Sequence, residues 1–302
     1  MSKLATREAY GKALAELVKM RDDVIVLDAD LSKSTKTNEA KQARPEHHFN
    51  MGIAEGNMMG VAAGLAASGK TVFASSFAMF AAGRAFEQIR NSIAYPKLNV
   101  KICATHAGLA VGEDGASHQA IEDLALMRAI PNMVVLQPCD DISTREVIQA
   151  VADYQGPCYI RLGRSAVEDV YTDTAHFQIG KGAILKKGSR IAVIASGSMV
   201  QEAIKATQDM NVTLIDMPCI KPIDRELIIE TAKTHDVLVT VEEHTVLGGL
   251  GSAVAEVLAP YTLCKQMMIG VQDTFGESGK PSQLFEKYGI DAQHIKDVLT
   301  SL

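Results

Sequence analysis

The chain has 302 residues, of which 47% are apolar, enough for two domains that each bury a core. Its 30 basic and 36 acidic residues give a net charge of −6 without long runs of one sign, so we do not expect nucleic acid as a partner. The sequence has no apolar run long enough to cross a membrane and no signal-peptide stretch after Met1, so we expect a cytoplasmic protein.

Apolar runs of strand length alternate with helix-like segments along the whole chain. Strands covered by helices on both faces of a parallel sheet have such near-continuous apolar runs. Residues 169–188 are charged and glycine-containing, which is typical of a linker. The sequence therefore predicts two doubly wound α/β domains, at 1–168 and 189–302. The predicted strands begin at Val24, Thr71, Val100, Met133, Cys158, Arg190, Val212, Val237 and Gln266.

Glu55 opens a predicted helix and lies among residues without polar side chains, from Gly52 to Gly56. A carboxyl group in such surroundings has a raised pKa unless it is paired, which suits it to donate or share a proton. Alternatively, it is a first-turn acid that only interacts with the helix dipole, worth about 0.3–1 kcal/mol. Taken alone, the position of Glu55 at the start of a helix favours this second interpretation.

A glycine-rich segment over residues 105–118 follows the predicted strand at Val100 and carries His106, Glu113, Asp114 and His118. Loops at strand ends are where open α/β sheets bind ligands, so these groups predict a cleft that moves protons on a small substrate. A metal site is less favoured, because the histidines are far apart and no second His/Cys cluster accompanies them. Asp114 could also serve only to cap the next helix.

Five scattered cysteines lie mostly within apolar runs. An odd number of such residues is typical of small core side chains in a reducing compartment. The sequence therefore predicts neither disulfides nor a metal site formed by this chain. The cysteines are Cys103, Cys139, Cys158, Cys219 and Cys264.

Several ordered segments together resemble the pyrimidine-binding and C-terminal domains of the transketolases, which use thiamine diphosphate. The resemblance covers nearly the whole chain. In the first predicted domain it rests on Asp30-Leu and on residues 49–57, 76–80, 105–119 and 122–132. In the second it rests on residues 242–251 and 273–279.

The resemblance implies how the cofactor is held. Glu55 corresponds to the glutamate that hydrogen-bonds and protonates a pyrimidine ring nitrogen, which needs a carboxylic acid in an apolar site. Phe80, and secondarily Phe77, correspond to aromatic residues that pack on the aminopyrimidine, although ordinary core packing is the commoner fate of phenylalanine. Asp30 corresponds to an acid near the thiazolium ring.

The resemblance also implies a substrate site. Ser34 and Arg164 correspond to the positions that hold a sugar phosphate, where a guanidinium suits the anion, and Arg161 is an alternative phosphate contact. Three further residues correspond to groups around the substrate carbonyl and hydroxyls: His106, Asp114 and His118.

One motif of full-length transketolases is missing. The sequence has no Gly-Asp-Gly, the motif that, with a downstream Asn, holds Mg²⁺ and the diphosphate in such enzymes. The resemblance therefore implies a partner, an N-terminal transketolase subunit that carries this motif and the divalent metal. We expect two copies of each subunit in an α₂β₂ heterotetramer.

The predicted activity is transfer of a two-carbon ketol unit between sugar phosphates, as in pentose phosphate metabolism. One alternative keeps the cofactor but changes the reaction, as in 1-deoxyxylulose-phosphate synthase or the beta subunits of 2-oxo acid dehydrogenases. The latter lack a histidine pair spaced like His106 and His118. A non-catalytic scaffold is least favoured, because Glu55, both histidines and Asp114 occur together.

Overall fold

Residues 3–302, which the computed structural model describes, form three β-sheets and eleven α-helices. Short 3₁₀-helical segments lie at Pro45–His47 and Leu109–Asp114, and π-helical segments at Met79–Arg84 and Gln88–Ala94. The strands are β1 (Lys3–Ala5), β2 (Val24–Asp28), β3 (His48–Asn50), β4 (Thr71–Phe77), β5 (Val100–Thr105), β6 (Val134–Leu136), β7 (Cys158–Arg161), β8 (Ala166–Glu168), β9 (Ala183–Lys186), β10 (Arg190–Ala195), β11 (Thr213–Asp216), β12 (Cys219–Lys221), β13 (His235–Thr245) and β14 (Lys265–Val271). The helices are α1 (Thr6–Met20), α2 (Ser32–Thr35), α3 (Asn38–Ala43), α4 (Glu55–Ala67), α5 (Asp123–Ala129), α6 (Asp141–Asp153), α7 (Met199–Thr207), α8 (Arg225–Thr234), α9 (Leu250–Leu258), α10 (Pro281–Lys287) and α11 (Ala292–Thr300).

The two large sheets are mostly parallel, which confirms the predicted α/β fold. The seven-stranded sheet has the order β12-β6-β7-β5-β4-β2-β3, with only β12 antiparallel to its neighbour. The five-stranded sheet has the order β14-β13-β10-β11-β9, with β9 antiparallel. All nine predicted strands are present. The predicted linker, residues 169–188, includes β9, an edge strand of the smaller sheet.

Alternating side chains of each buried strand enter two different cores, because successive residues point to opposite faces. In β2, Val24 and Val26 pack beneath α1 and α6, whereas Ile25 and Leu27 pack beneath α4 and the π-helical segments. The smaller sheet is covered by α7 and α11 on one face and by α8 and α9 on the other. The core under α4 is continuous with the core under α8 and α9, so both sheets share apolar contacts.

Two connections join the sheets. Strand β12 follows β11 in the chain but pairs with β6 at the edge of the larger sheet. The segment after β8 is anchored by Asp140, whose carboxylate accepts the backbone N–H groups of Val170 and Tyr171 at 2.8 and 3.0 Å. The segment that leads from one sheet to the other is therefore hydrogen-bonded to the start of α6, a helix that packs on the larger sheet.

The cysteines are free thiols, and four of them are buried, as the sequence predicts for core residues. Among residues 3–302, no helix combines the length and apolar character that membrane crossing requires.

A buried carboxyl group lies where this connecting segment meets the smaller sheet. Asp216, at the end of β11, accepts a hydrogen bond from the Tyr171 hydroxyl at 2.8 Å and lies 3.4 Å from the Cys139 thiol. Its Oδ1 is buried and has no hydrogen-bond partner among the described residues. Burial, helped by the charge of nearby Asp140, raises the pKa of Asp216 to about 7.

This pKa makes stability depend on pH in a defined direction. The unfolded chain loses the Asp216 proton near pH ~4, but the folded chain keeps it to about pH 7, so the free energy of unfolding falls as pH rises across that window. In Asp216→Asn the side chain is always neutral. We therefore expect its unfolding midpoint, followed by circular dichroism, to fall less between pH 5 and pH 8 than that of the wild type. The control is the exposed Asp209→Asn; equal slopes for Asp216→Asn and the wild type would contradict the assignment.

Candidate active site

The candidate residues meet at one edge of the larger sheet. Strands β2, β4 and β5 are parallel neighbours in register, so that Asp28 pairs with Ser75 and Phe77 pairs with Thr105. Their carboxyl ends therefore lie side by side, and each continues into a loop that carries candidate residues. Helix α4 begins at the same edge with Glu55.

Glu55 is buried, with 4% of its surface exposed. Its Oε1 lies 3.4 Å from the Ser76 hydroxyl and 3.5 Å from Nη1 of Arg84. Both contacts use Oε1, so Oε2 has no role in them. The carboxyl group thus keeps one oxygen for a further hydrogen bond, which fits a ligand with a ring nitrogen.

Two phenylalanines and two histidines form one aromatic cluster, which Arg84 connects to Glu55 because its guanidinium contacts both Glu55 and the Phe80 ring. The rings of Phe77 and His106 stack with centroids 3.9 Å apart, and Phe77 and Phe80 stack at 5.9 Å. His118 meets the Phe80 ring edge-on at 5.2 Å. An aromatic surface next to a buried carboxyl group is a suitable place for a flat heteroaromatic ring.

His106 is buried and kept neutral. Burial lowers its pKa to about 3, and the positive charges of Arg7 and Arg164 act in the same direction. Nη1 of Arg7 lies 3.5 Å from Nε2, and Nδ1 lies 2.9 Å from the Thr105 hydroxyl. A guanidinium can only donate, so Nε2 is the acceptor and Nδ1 carries the ring proton.

Arg7 is a site residue that sequence reasoning missed, because nothing in its neighbourhood distinguishes it from other arginines near a helix start. It lies in the first turn of α1, and its Nη1 donates to the backbone oxygen of Ser34 at 2.8 Å. Its Nε is buried without a partner among the described residues. Arg7 therefore brings Ser34, His106 and an unused donor together.

Arg164 and Asp114 lie near each other, beside the segment that follows β5. Nη1 of Arg164 is 3.9 Å from a carboxylate oxygen of each of Glu113 and Asp114, and it donates to the Val111 oxygen. All three charged side chains are partly exposed and accessible to a ligand. Helix α5 begins at Asp123, so Asp114 does not cap it.

Asp30 follows β2 and has a left-handed backbone, with φ of 63°. Asn50 holds it in place: its Nδ2 donates to Asp30 Oδ1 at 2.9 Å, and its Oδ1 accepts the Asp30 N–H at 3.0 Å. The Asp30 side chain is thus fixed at the exposed rim of the strand edge.

Arg161, the alternative phosphate contact, lies in the interior with 2% of its surface exposed. Its Nε donates to Asp123 at 2.9 Å, and its Nη2 donates to the backbone oxygens of Ala120 and Glu243 at 2.9 and 3.0 Å. A phosphate at the cleft cannot reach a guanidinium that is enclosed in this way. This expectation is corrected: Arg161 joins the two sheets.

The part of the chain from residue 3 onward contains no group of three or more His, Cys, Asp and Glu side chains that could hold a metal ion. The acidic groups of the cleft are dispersed instead: Asp30 is paired with Asn50, and Glu55 is on a different element from Asp114.

Comparison with known proteins matches both parts of the chain to one family. Residues 2–169 match the transketolase pyrimidine-binding domain, and residues 180–295 match the transketolase C-terminal domain. A putative transketolase C-terminal section from Methanocaldococcus jannaschii is 52% identical, over 96% of this chain and 93% of that protein. Human transketolase is 36% identical over 99% of this chain, but only 49% of its own length is covered.

Solved structures agree. A split gene transketolase, described as an inactive beta4 tetramer, superimposes with a TM-score of 0.92 at 53% identity, over 99% of this chain and 98% of that one. Transketolase from Leishmania mexicana gives a TM-score of 0.86 at 25% identity, over 100% of this chain and 46% of that one. The chain therefore belongs to the transketolase family, from which it contains the pyrimidine-binding and C-terminal domains.

Proposed function

We propose that this chain is the C-terminal subunit of a split transketolase that transfers a two-carbon ketol unit between sugar phosphates. One observation carries the proposal: the buried carboxyl of Glu55 lies beside the aromatic cluster, at the strand edge that also bears His106 and Arg7. This arrangement combines a carboxyl group that can share a proton, a flat apolar surface and anion-binding groups, which ketol transfer from a phosphorylated sugar requires.

The cofactor pyrimidine fits between Glu55 and the phenylalanines. Oε2 of Glu55 would share a proton with a ring nitrogen, while the rings of Phe77 and Phe80 would exclude water from that hydrogen bond. Thiamine diphosphate, when bound, supplies the carbon nucleophile that attacks a ketose carbonyl. Asp30, at the rim of β2, would lie toward the thiazolium side.

The substrate would lie over the histidines. His106 is neutral, so it can exchange hydrogen bonds with a carbonyl or hydroxyl without adding a charge. His118 is part of the same aromatic cluster, and the partly exposed Asp114 can accept a sugar hydroxyl. Arg164 and Arg7, together with Ser34, are the groups that we assign to the sugar phosphate.

A partner subunit would supply what this chain lacks. The relatives named for subunits, a 6-deoxy-6-sulfo-D-fructose transketolase subunit and an apulose-4-phosphate transketolase subunit, are 36% and 35% identical to this chain and are covered over 91% and 95% of their lengths. By analogy, we assign the Gly-Asp-Gly…Asn motif, the divalent metal and the diphosphate to an N-terminal subunit. Two copies of each subunit would form the active α₂β₂ assembly, with each site between chains.

The isolated chain should bind the cofactor poorly, because its pyrimidine contacts alone cannot neutralise a diphosphate. We expect titration calorimetry with thiamine diphosphate and Mg²⁺ to show no saturable binding to this chain and stoichiometric binding after the partner is added. Thiamine without the diphosphate is the control ligand. Tight stoichiometric binding to the chain alone would refute the division of the site between subunits.

Glu55 should act on the cofactor and Asp114 on the substrate. Glu55→Gln keeps the shape but removes the proton, so hydrogen–deuterium exchange at the cofactor C2 should slow by about 10²–10⁴-fold in the reconstituted complex. Asp114→Ala should leave C2 exchange unchanged and reduce ketol transfer. Wild-type C2 exchange in Glu55→Gln would contradict the assignment of this chain as the activating subunit.

Arg164 should select phosphorylated substrates. A charge-assisted hydrogen bond contributes about 1.5–3 kcal/mol, so Arg164→Met should raise KM for a ketose phosphate about 10- to 100-fold. The KM for the unphosphorylated ketose should change little, because that sugar has no phosphate for Arg164 to bind. Arg190→Met, an exposed change on the smaller sheet, is the matched control. An equal rise in KM for both sugars would assign Arg164 a role other than phosphate binding.

A further inference from the structure

Arg84 contacts two of the three residues that we assign to the pyrimidine, Glu55 and Phe80. It is the last residue of the π-helical segment Met79–Arg84 that follows β4. Its Nη1 lies 3.5 Å from Glu55 Oε1, and its Cζ lies 4.1 Å from the centroid of the Phe80 ring. A single guanidinium therefore bridges the acid and the aromatic ring.

The bridge matters because Glu55 and Phe80 belong to different elements. Glu55 begins α4, whereas Phe80 lies in the π-helical segment, 25 residues later in the chain. A ligand ring that must hydrogen-bond to one and pack on the other needs both at a fixed spacing and angle. Ser76 restrains Glu55 by a contact of 3.4 Å but does not bind Phe80 in a comparable way.

The chemistry of the contact suits a guanidinium. Its planar, delocalised charge can stack on a ring face and pair with a carboxylate at the same time, which an ammonium does poorly. The Arg84 side chain is 54% exposed, and an ion pair with so exposed a partner adds little to folding stability. The wide turn of a π-helix changes which residues face the cleft, and such turns are frequent at functional sites.

We propose that Arg84 is a positioning residue for the cofactor pyrimidine. It binds Glu55 Oε1 and a face of the Phe80 ring, and so it orients Oε2 toward the ring nitrogen while the pyrimidine packs on the aromatic cluster. This role rests on the proposed function, since it presupposes that Glu55 and Phe80 bind the pyrimidine.

The test uses the complex of this chain with its partner subunit and compares Arg84→Met with Arg84→Lys. Methionine keeps apolar contact with Phe80 but removes the charge, and lysine keeps the charge but not the planar stack. The matched control is Arg90→Met, because Arg90 is an exposed arginine in the next π-helical segment whose guanidinium bonds only to Asn91 among the described residues.

We expect Arg84→Met to raise the Kd for thiamine diphosphate about tenfold and to slow C2 hydrogen–deuterium exchange by a similar factor. Arg84→Lys should recover part of both losses, and Arg90→Met should match the wild type. The KM for the sugar phosphate and the thermal unfolding midpoint should be unchanged in all variants, which a merely structural role would not predict.

Two results would overturn the proposal. Wild-type affinity and C2 exchange in Arg84→Met would show that the bridge has no consequence for the cofactor. Tighter binding would show that Arg84 competes with the pyrimidine for its place. If the wild-type complex itself bound no thiamine diphosphate, the proposed function would fail, and this role would fail with it.

Discussion

The geometry of the cleft depends on one buried ionic network between the two sheets. The guanidinium of Arg161, at the end of β7, is paired with Asp123, to which the Tyr159 hydroxyl also donates at 2.7 Å. The carboxylate of Glu243, on β13, accepts the backbone N–H of Ala110 at 2.6 Å. The segment that carries His106, Asp114 and His118 is therefore held between a strand of each sheet.

Charges buried this deeply are stable only when each has a partner, because removal of one leaves the other without solvation. Burial raises the pKa of Glu243, and the positive charge of Arg161 opposes that shift. The fit is close: Gly108 has φ of 78°, and an added Cβ would lie 2.3 Å from Glu243 Oε1. The smaller sheet contributes no candidate catalytic side chain, yet it fixes the loop that contributes three.

The fold, and the proximity of residues that follow neighbouring strands, could be predicted from the sequence for one physical reason. Parallel strands buried on both faces leave continuous apolar runs, and their carboxyl ends lie at one edge, so residues after β2, β4 and β5 had to be neighbours. The observed clustering of Phe77 and Phe80 with the histidines follows from this rule, whereas Glu55 comes after β3, a short strand that the apolar runs did not predict.

The contacts of three other arginines could not be predicted from the sequence, because they depend on distant segments. Arg7 meets His106 from the first turn of α1, Arg84 meets Glu55 from the end of a π-helical segment, and Arg161 is enclosed by residues of both sheets. Nothing in the local pattern separates an enclosed guanidinium from an exposed one. The raised pKa of Asp216 has the same origin, since it comes from burial between distant segments and from the charge of Asp140.

Two candidate residues occupy backbone conformations that non-glycine residues seldom adopt. Asp30 and His106 come shortly after β2 and β5, with φ of 63° and 56°. Each such residue costs about 1 kcal/mol or more, so its surroundings must over-determine it. Two hydrogen bonds with Asn50, one donated and one accepted by its side chain, do this for Asp30. For His106 the stacking on Phe77 does so, with Arg7 and Thr105 at its ring nitrogens. The left-handed conformation turns the chain at the end of each strand and keeps the side chain near the sheet edge. A strand that continued straight would carry the side chain beyond that edge.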